Sequence, residues 1–132
     1  MASPALIRRL RIALRALRGA PIPPPPAWAE VCQRAGARLR RQAALPALAG
    51  WFGRFGGPAA AVTLGRTIWI HPATRLTDEL LAHELVHVLQ WRRVPAFPLR
   101  YLWASLRHGY ERNPFEREAR HVAASLNPGE FA

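Results

Sequence analysis

Two histidines four residues apart, with a glutamate beside the first, are the residues of this chain best suited to chemistry. His83, Glu84 and His87 form the pattern His-Glu-x-x-His, which on a helix is typical of zinc sites. Residues four apart share a helix face, so both imidazoles can bind one metal ion. Glu84 is turned about 100° from His83 around the helix axis, where it can take a proton from metal-bound water. The pattern predicts Zn²⁺ bound by the two histidines, with Glu84 as the catalytic base.

The residues around this motif predict that its helix is buried. Apolar side chains surround it on almost every side, at Leu80, Leu81, Ala82, Leu85, Val86, Val88 and Leu89. A helix that is apolar all round lies in a protein core. Buried polar groups without partners are costly, and metal binding gives both histidines a partner. The alternative is that the histidines are hydrogen-bonded core residues that bind no metal.

Two stretches of the chain resemble the gluzincin group of zincin metallopeptidases. Residues 81–91 carry the histidine motif, and residues 113–119 read Asn-Pro-Phe-Glu-Arg-Glu-Ala, similar to the segment that holds the third zinc ligand of gluzincins. Over residues 60–125 the chain resembles small uncharacterised bacterial gluzincin-like domains. The resemblance implies an α+β, zincin-like fold, in which a short sheet or hairpin packs on the motif helix and a second helix bears the ligand. It also implies Glu116 as that ligand and peptide or protein hydrolysis as the activity.

Helix faces also favour Glu116 as the third ligand. Glu116 shares a face with Ala119 and Ala123, and small residues let two helices approach closely. Glu118 points elsewhere on the same helix. A competing interpretation is a DNA-associated zincin whose last ligand is a histidine, because His108 follows His87 by 21 residues.

The chain departs from the gluzincin pattern at Arg120. Several gluzincins carry an aspartate at this position, where it orients a zinc-bound histidine. Glu118 or a backbone carbonyl is expected to substitute for it. Tyr110 is our first choice for stabilising the oxyanion of a tetrahedral intermediate. The other candidates for that role are His108, Arg112 and His121.

The elements that position these residues follow from hydrophobic periodicity and turn signals. Residues 61–70 predict a hairpin of Ala61–Leu64 and Thr67–Ile70 around a Gly65-Arg66 turn. We expect the second strand to be an edge strand that pairs with an extended substrate. Helices are predicted for residues 78–91, 98–107 and 114–126.

The first part of the chain predicts an appendage to the catalytic domain. Residues 5–18 form a basic amphipathic helix, which either lies on an anionic membrane or packs on the domain. Residues 19–26 contain four consecutive prolines and predict a stiff extended spacer. We expect residues 1–26 to be an arm and linker and residues 27–132 to be the zincin-like domain. Within that domain, residues 27–44 predict a helix and residues 50–58 a glycine-rich loop.

Composition limits the class of protein and its partners. The chain has 132 residues, one cysteine and a net charge of +11, which excludes a disulfide framework and a multi-cysteine metal site. The excess of arginine suits either solvated surface residues or an anionic partner, lipid or nucleic acid. The alternative function is therefore a non-catalytic, zinc-stabilised module that binds an anionic membrane or nucleic acid. We expect a cytoplasmic protein, with peripheral attachment to a membrane as an option.

Overall fold

The computed structural model describes residues 1–52 and 59–125, with side chains for all of these except Trp51 and Phe52. These residues form an α+β fold, which confirms the predicted class. The helices are α1 (Pro4–Arg18), α2 (Ala29–Ala35), α3 (Ala44–Phe52), α4 (Asp78–Arg93), α5 (Phe97–His108) and α6 (Pro114–Ser125). The strands are β1 (Ala20–Ile22), β2 (Arg38–Arg41), β3 (Ala61–Leu64) and β4 (Thr67–Ile70).

The four strands form one mixed sheet in the order β1-β2-β4-β3. Strands β3 and β4 are the predicted hairpin, with Leu64 opposite Thr67 across the turn. Strand β4 pairs in parallel with β2 on its other side. The prediction that β4 is a substrate-binding edge strand is therefore wrong, because both of its edges are already paired within the sheet.

Residues 27–44 do not form the single helix that their apolar spacing predicts. A 3-10 turn at Pro26–Trp28 leads into α2, which ends where Gly36 adopts a left-handed conformation with φ 67°. The chain then extends as β2, in which Leu39 is buried and Arg38 is exposed. Spacing alone could not exclude this strand, because it forms only by pairing with β1 and β4, which lie far from it in the chain.

The proline-rich segment also contributes to the sheet instead of serving only as a spacer. Residues 20–22 form β1 and pair antiparallel with β2, so that Pro21 lies opposite Arg40. Proline is tolerated there because β1 is an edge strand and its missing N–H is not needed by a further strand. The predicted loop at residues 50–58 begins with the end of α3, and residues 53–58 lie outside the described residues. The domain division at residue 26 stays a prediction.

Helix α4 lies in the core, as predicted from its apolar surroundings. It packs against the sheet, and the buried cluster between them includes Trp28, Ile68, Ile70, Leu81, Leu85 and Val88. The indole Nε1 of Trp28 donates to Asp78 Oδ1 at 2.8 Å, which fixes the first turn of α4. The motif helix is therefore held rigidly by the sheet on one side, while α6 packs on it as the second major neighbour.

Helices α1 and α5 differ from α4 because each leaves several large apolar residues in solvent, whereas α4 leaves only Leu89 exposed. Of the two alternatives predicted for α1, packing of its apolar face on the domain is not found among the described residues, because no residue of α1 is buried. On α5 the exposed apolar residues are Leu99, Leu102, Trp103 and Leu106. Neither helix, nor any other in the part of the chain that the structure describes, is long and apolar enough to cross a bilayer.

Candidate metal centre

Helix α4 brings the two histidines of the motif together. The Thr77 hydroxyl caps this helix by accepting from the Leu80 N–H at 3.2 Å, and Asp78 and Glu79 place negative charge in its first turn. His83 and His87 lie one turn apart with their Nε2 atoms 3.2 Å apart and their rings edge to face. Two imidazole nitrogens therefore point to one place, as the spacing predicted.

Helix α6 brings Glu116 to the same place. Asn113 caps α6, because its Oδ1 accepts from the Phe115 N–H at 2.9 Å, and Pro114 begins the helix. Glu116 then lies in the first turn, with Oε2 3.0 Å from His83 Nε2 and Oε1 3.1 Å from His87 Nε2. Ala119 and Ala123 are buried on the same face of α6, which confirms the inward face predicted for this helix.

The cluster of His83, His87 and Glu116 fits a metal ion. One ligand atom from each residue lies within 4.8 Å of the others. In a tetrahedral zinc site, bonds of about 2.0–2.1 Å separate neighbouring donor atoms by roughly 3.3 Å. The contacts of 3.0 to 3.2 Å in this cluster are close to that separation. These three residues could therefore bind a metal ion.

Gln90 fixes which nitrogen of His87 faces the cluster. Its amide Nε2 donates to the Phe115 carbonyl at 3.0 Å, so its Oε1 must face His87 Nδ1, 2.8 Å away. An amide oxygen only accepts, and the proton of this bond is therefore on Nδ1. When His87 is neutral, this tautomer leaves a lone pair on Nε2, the atom that faces His83 and Glu116. Gln90 is fully buried, and its two hydrogen bonds tie the orientation of His87 on α4 to the first turn of α6.

Tyr101 on α5 holds the carboxylate of Glu116 from the other side. Its hydroxyl donates to Glu116 Oε1 at 2.6 Å. Burial, together with the negative charge of Glu116, raises the pKa of the Tyr101 phenol, so this hydroxyl remains a donor at neutral pH. The Asn113 side chain links the two helices further, because its Nδ2 donates to Ser105 Oγ at 2.8 Å. Three helices therefore meet at the cluster.

The charges of the metal-free cluster are coupled. Burial works to lower the pKa of His87, but the hydrogen bond that His87 donates to Glu116 and the charges of Glu84 and Glu116 raise it to about 9. Burial likewise works against the Glu116 carboxylate, whereas hydrogen bonds from His83 and His87 hold its pKa well below the usual range. A cation is therefore favoured between the histidines and Glu116, either a proton or a metal ion.

Glu84 lies beside the cluster and does not belong to it. Its side chain is buried at 5% exposure, and its Oε2 accepts from the Thr63 hydroxyl at 2.6 Å. Thr63 belongs to β3, so the sheet fixes the position of this carboxylate. The indole Nε1 of Trp91 donates to the backbone carbonyl of Thr63 at 3.3 Å, which ties β3 to the end of α4.

The four residues predicted as possible oxyanion donors differ in their burial. Tyr110 is half-buried, and its pKa is raised by burial, by the charges of Glu116 and Glu84 and by a hydrogen bond with Glu116. His108, Arg112 and His121 are exposed. His108 ends α5 and is not among the three clustered residues.

Arg120 and Glu118 do not orient the histidines. Arg120 donates to Glu111 Oε2 at 2.8 Å and its guanidinium carbon lies 5.8 Å from the centre of the Tyr110 ring. Glu118 pairs with Arg93 at 2.7 Å on the surface. The expectation that Glu118 replaces the missing aspartate is wrong, because it faces away from the cluster. Gln90 supplies the hydrogen bond to a histidine that the expected aspartate was predicted to make.

Sequence reasoning missed four residues that support the site, namely Thr63, Gln90, Tyr101 and Asn113. Gln90 carried a signal, because it is a polar residue three positions after His87 in the otherwise apolar stretch 88–91. Asn113 carried one as well, since Asn-Pro is typical of a helix start. No sequence signal indicated Thr63 or Tyr101, because their contacts depend on how β3 and α5 pack.

The comparisons with known proteins cover the motif and not the whole site. A family model described as the eCIS core domain matches residues 56–95, which include β3, β4 and α4 with His83, Glu84 and His87. The match ends before Glu116 and covers less than half of the chain, so it is a similarity only. No curated protein and no solved structure matches this chain at a significant level. No zincin family is among these findings, so the gluzincin resemblance depends on the motifs.

Proposed function

We propose that this protein is a zinc-dependent metallopeptidase with a zincin-like fold. The observation that carries the proposal is the meeting of His83, His87 and Glu116 beside the buried carboxylate of Glu84. Two imidazoles and one carboxylate are the ligand set of several catalytic zinc sites, which leave the fourth position open. When bound, zinc supplies a Lewis acid that lowers the pKa of coordinated water and polarises the substrate carbonyl.

Glu84 is the proposed general base. Its Oε1 accepts a proton from the attacking water, and the same oxygen then gives that proton to the amine released as the C–N bond breaks. The hydrogen bond from Thr63 occupies Oε2, so the sheet holds the carboxylate in one orientation through both transfers. A fixed base loses less entropy on reaching the transition state than a mobile one.

Tyr110 is the proposed donor to the oxyanion of the tetrahedral intermediate. Because burial and the neighbouring carboxylates raise the pKa of its phenol, Tyr110 remains a hydrogen-bond donor at neutral pH. An extended peptide would join β3 and not β4, because β3 is the outermost strand on that side of the sheet. Tyr101 has a separate task, since its hydroxyl positions Glu116.

The alternative is a non-catalytic module in which the metal only stabilises the fold. One observation favours it: the cluster and its hydrogen bonds join α4, α5 and α6, as a structural metal site would. Metal affinity alone does not separate the two functions, so the test must measure cleavage and metal content on the same samples.

The decisive variant is Glu84→Gln, which keeps the shape of the side chain but cannot accept a proton at neutral pH. We expect the variant to retain about one zinc per chain and to lose cleavage of a peptide library by about 10²–10⁴-fold. Glu118→Gln is the matched control, because it makes the same change at a surface residue and should cleave like the parent. Loss of zinc from Glu84→Gln would make Glu84 structural. A parent protein that cleaves no peptide would favour the non-catalytic module.

A further inference from the structure

Helix α1 is an amphipathic helix whose apolar face has no partner in the described structure. All fifteen residues of α1 are exposed. Its large apolar side chains are between 41% and 61% exposed, at Leu6, Ile7, Leu10, Ile12, Leu14 and Leu17. Four of them, the leucines, lie on one face of the helix. A row of this kind marks a contact with a partner or a membrane, because single proteins rarely expose connected apolar surface.

The charge of α1 indicates the kind of partner. The helix contains five arginines, at Arg8, Arg9, Arg11, Arg15 and Arg18, and no acidic residue. Arginines beside an apolar face suit the boundary between lipid headgroups and acyl chains, where the apolar side chains enter the bilayer and the guanidinium groups bind phosphates. We propose that α1 docks this protein onto the surface of an anionic lipid bilayer.

Helix α1 is attached to the body of the protein in a fixed way. Gln42 Nε2 donates to the Leu17 carbonyl at 2.7 Å, and the indole of Trp69 donates to the Arg18 carbonyl at 3.1 Å. Gly19 ends the helix with φ 69°, and a Cβ there would clash with the Arg41 carbonyl oxygen. The end of α1 is thus held against β2 and β4, so a bilayer bound to α1 holds the folded body at its surface.

The apolar face distinguishes lipid from two other occupants. Nucleic acid binds through phosphate contacts to basic residues, and these contacts would leave the exposed row of leucines in water. A second copy of the chain, related by a two-fold axis, would bring two sets of five arginines together. An anionic bilayer offers acyl chains to the leucines and phosphates to the arginines at the same time.

Helix α5 provides a comparison within the same molecule. It exposes an apolar row that includes Leu102 at 53% and Leu106 at 75%, but it carries two arginines, Arg100 and Arg107. If an exposed apolar row were sufficient for binding to a bilayer, α1 and α5 would contribute equally to docking. Docking is assigned to α1 because it carries five arginines, whereas α5 carries two.

The first experiment measures cosedimentation of the full chain with vesicles of phosphatidylcholine containing about 30 mol% phosphatidylglycerol. We expect binding to these vesicles and much weaker binding to pure phosphatidylcholine. Arg11→Gln combined with Arg15→Gln should weaken binding by about 30-fold, because each arginine near an anionic surface contributes roughly fivefold. Arg75→Gln with Arg112→Gln is the matched control, since it removes the same charge from exposed positions outside α1. Equal weakening by both pairs would overturn docking through α1.

The second experiment tests the apolar face. Leu10→Gln with Leu14→Gln should reduce vesicle binding strongly, whereas Leu102→Gln with Leu106→Gln should leave it within about twofold of the parent. Zinc content and circular dichroism establish that each variant is folded. Equal loss with the α5 pair would overturn the assignment to α1. A parent that does not bind the anionic vesicles would also overturn it, whether the chain dimerises through these leucines, binds nucleic acid through the arginines of α1 or does neither.

Discussion

Replacing Gln90 by leucine tests whether the hydrogen bond to His87 tunes the metal centre. Gln90 is fully buried, accepts from His87 Nδ1 at 2.8 Å and donates to the Phe115 carbonyl at 3.0 Å. Leucine has a similar volume and keeps the helix, but it makes neither bond. The Nδ1–H of His87 then has no acceptor in the core, and His87 is free to rotate or to change tautomer.

The size of the effect follows from these two bonds. Loss of the hydrogen bond that orients a metal-binding histidine commonly lowers metal affinity about 10- to 100-fold. A buried donor left without an acceptor costs about 1–3 kcal/mol of folding free energy. We therefore expect Gln90→Leu to bind zinc 10- to 100-fold more weakly than the parent, and its metal-free form to unfold at lower urea concentration.

Gln90→Glu distinguishes the contribution of the bond to His87 from that of the bond to the Phe115 carbonyl. A carboxylate accepts from His87 Nδ1 at least as well as an amide oxygen, and a carboxylate behind a zinc-bound histidine raises its basicity. The same carboxylate cannot donate to the Phe115 carbonyl. We expect this variant to bind zinc within about tenfold of the parent, although its metal-free form loses stability as the leucine variant does.

The assay is a zinc competition titration against a chromophoric chelator, with urea unfolding of the metal-free proteins alongside. Gln33→Leu on the surface of α2 is the control for the change of side chain, because Gln33 is exposed. If Gln90→Leu binds zinc as tightly as the parent, Gln90 does not orient His87. If the leucine and glutamate variants lose zinc equally, the link to α6 and not the bond to His87 decides affinity.

Three further predictions concern the ligands and their partners. Glu116→Ala should lower zinc affinity sharply while His108→Ala should not, and the opposite ranking in a competition titration would support the histidine-ligand class. Zinc affinity should rise by up to about tenfold per pH unit towards pH 9 and then level off, because zinc must displace the proton of His87, whose metal-free pKa is raised to about 9. An affinity that is flat between pH 6.5 and 9 would contradict this protonation. Tyr101→Phe removes a hydrogen bond to a buried carboxylate and should lower the unfolding free energy of the metal-free protein by about 1.5–3 kcal/mol. Urea unfolding measures this change, and a loss below about 0.5 kcal/mol would mean that Tyr101 does not hold Glu116.

Local signals in the sequence predicted α1, α4, α5 and α6 and two of the three clustered residues, but they did not predict α3 or the strand β2 within residues 27–44. The spacing of His83 and His87 places both on one helix face by geometry alone, and Thr77 marks where that helix begins. The hairpin was readable because a two-residue turn separates two β-branched runs. The prediction of Glu116 needed two further observations, namely the resemblance at residues 113–119 and the small residues on its helix face.

Only the tertiary structure decided which distant groups complete the site. Strand β2 forms because β1 and β4 pair with it, and no local pattern in residues 38–41 distinguishes it from a helix. The bonds of Thr63 to Glu84 and of Tyr101 to Glu116 join residues 21 and 15 positions apart, on elements whose mutual packing is not encoded in either segment alone. A sequence fixes periodicity over a few residues, whereas these contacts depend on which elements bury their apolar faces against each other. The exposure of α1 is of the same kind, because an amphipathic pattern shows that a helix has an apolar face and only the fold shows that nothing in the described residues covers it.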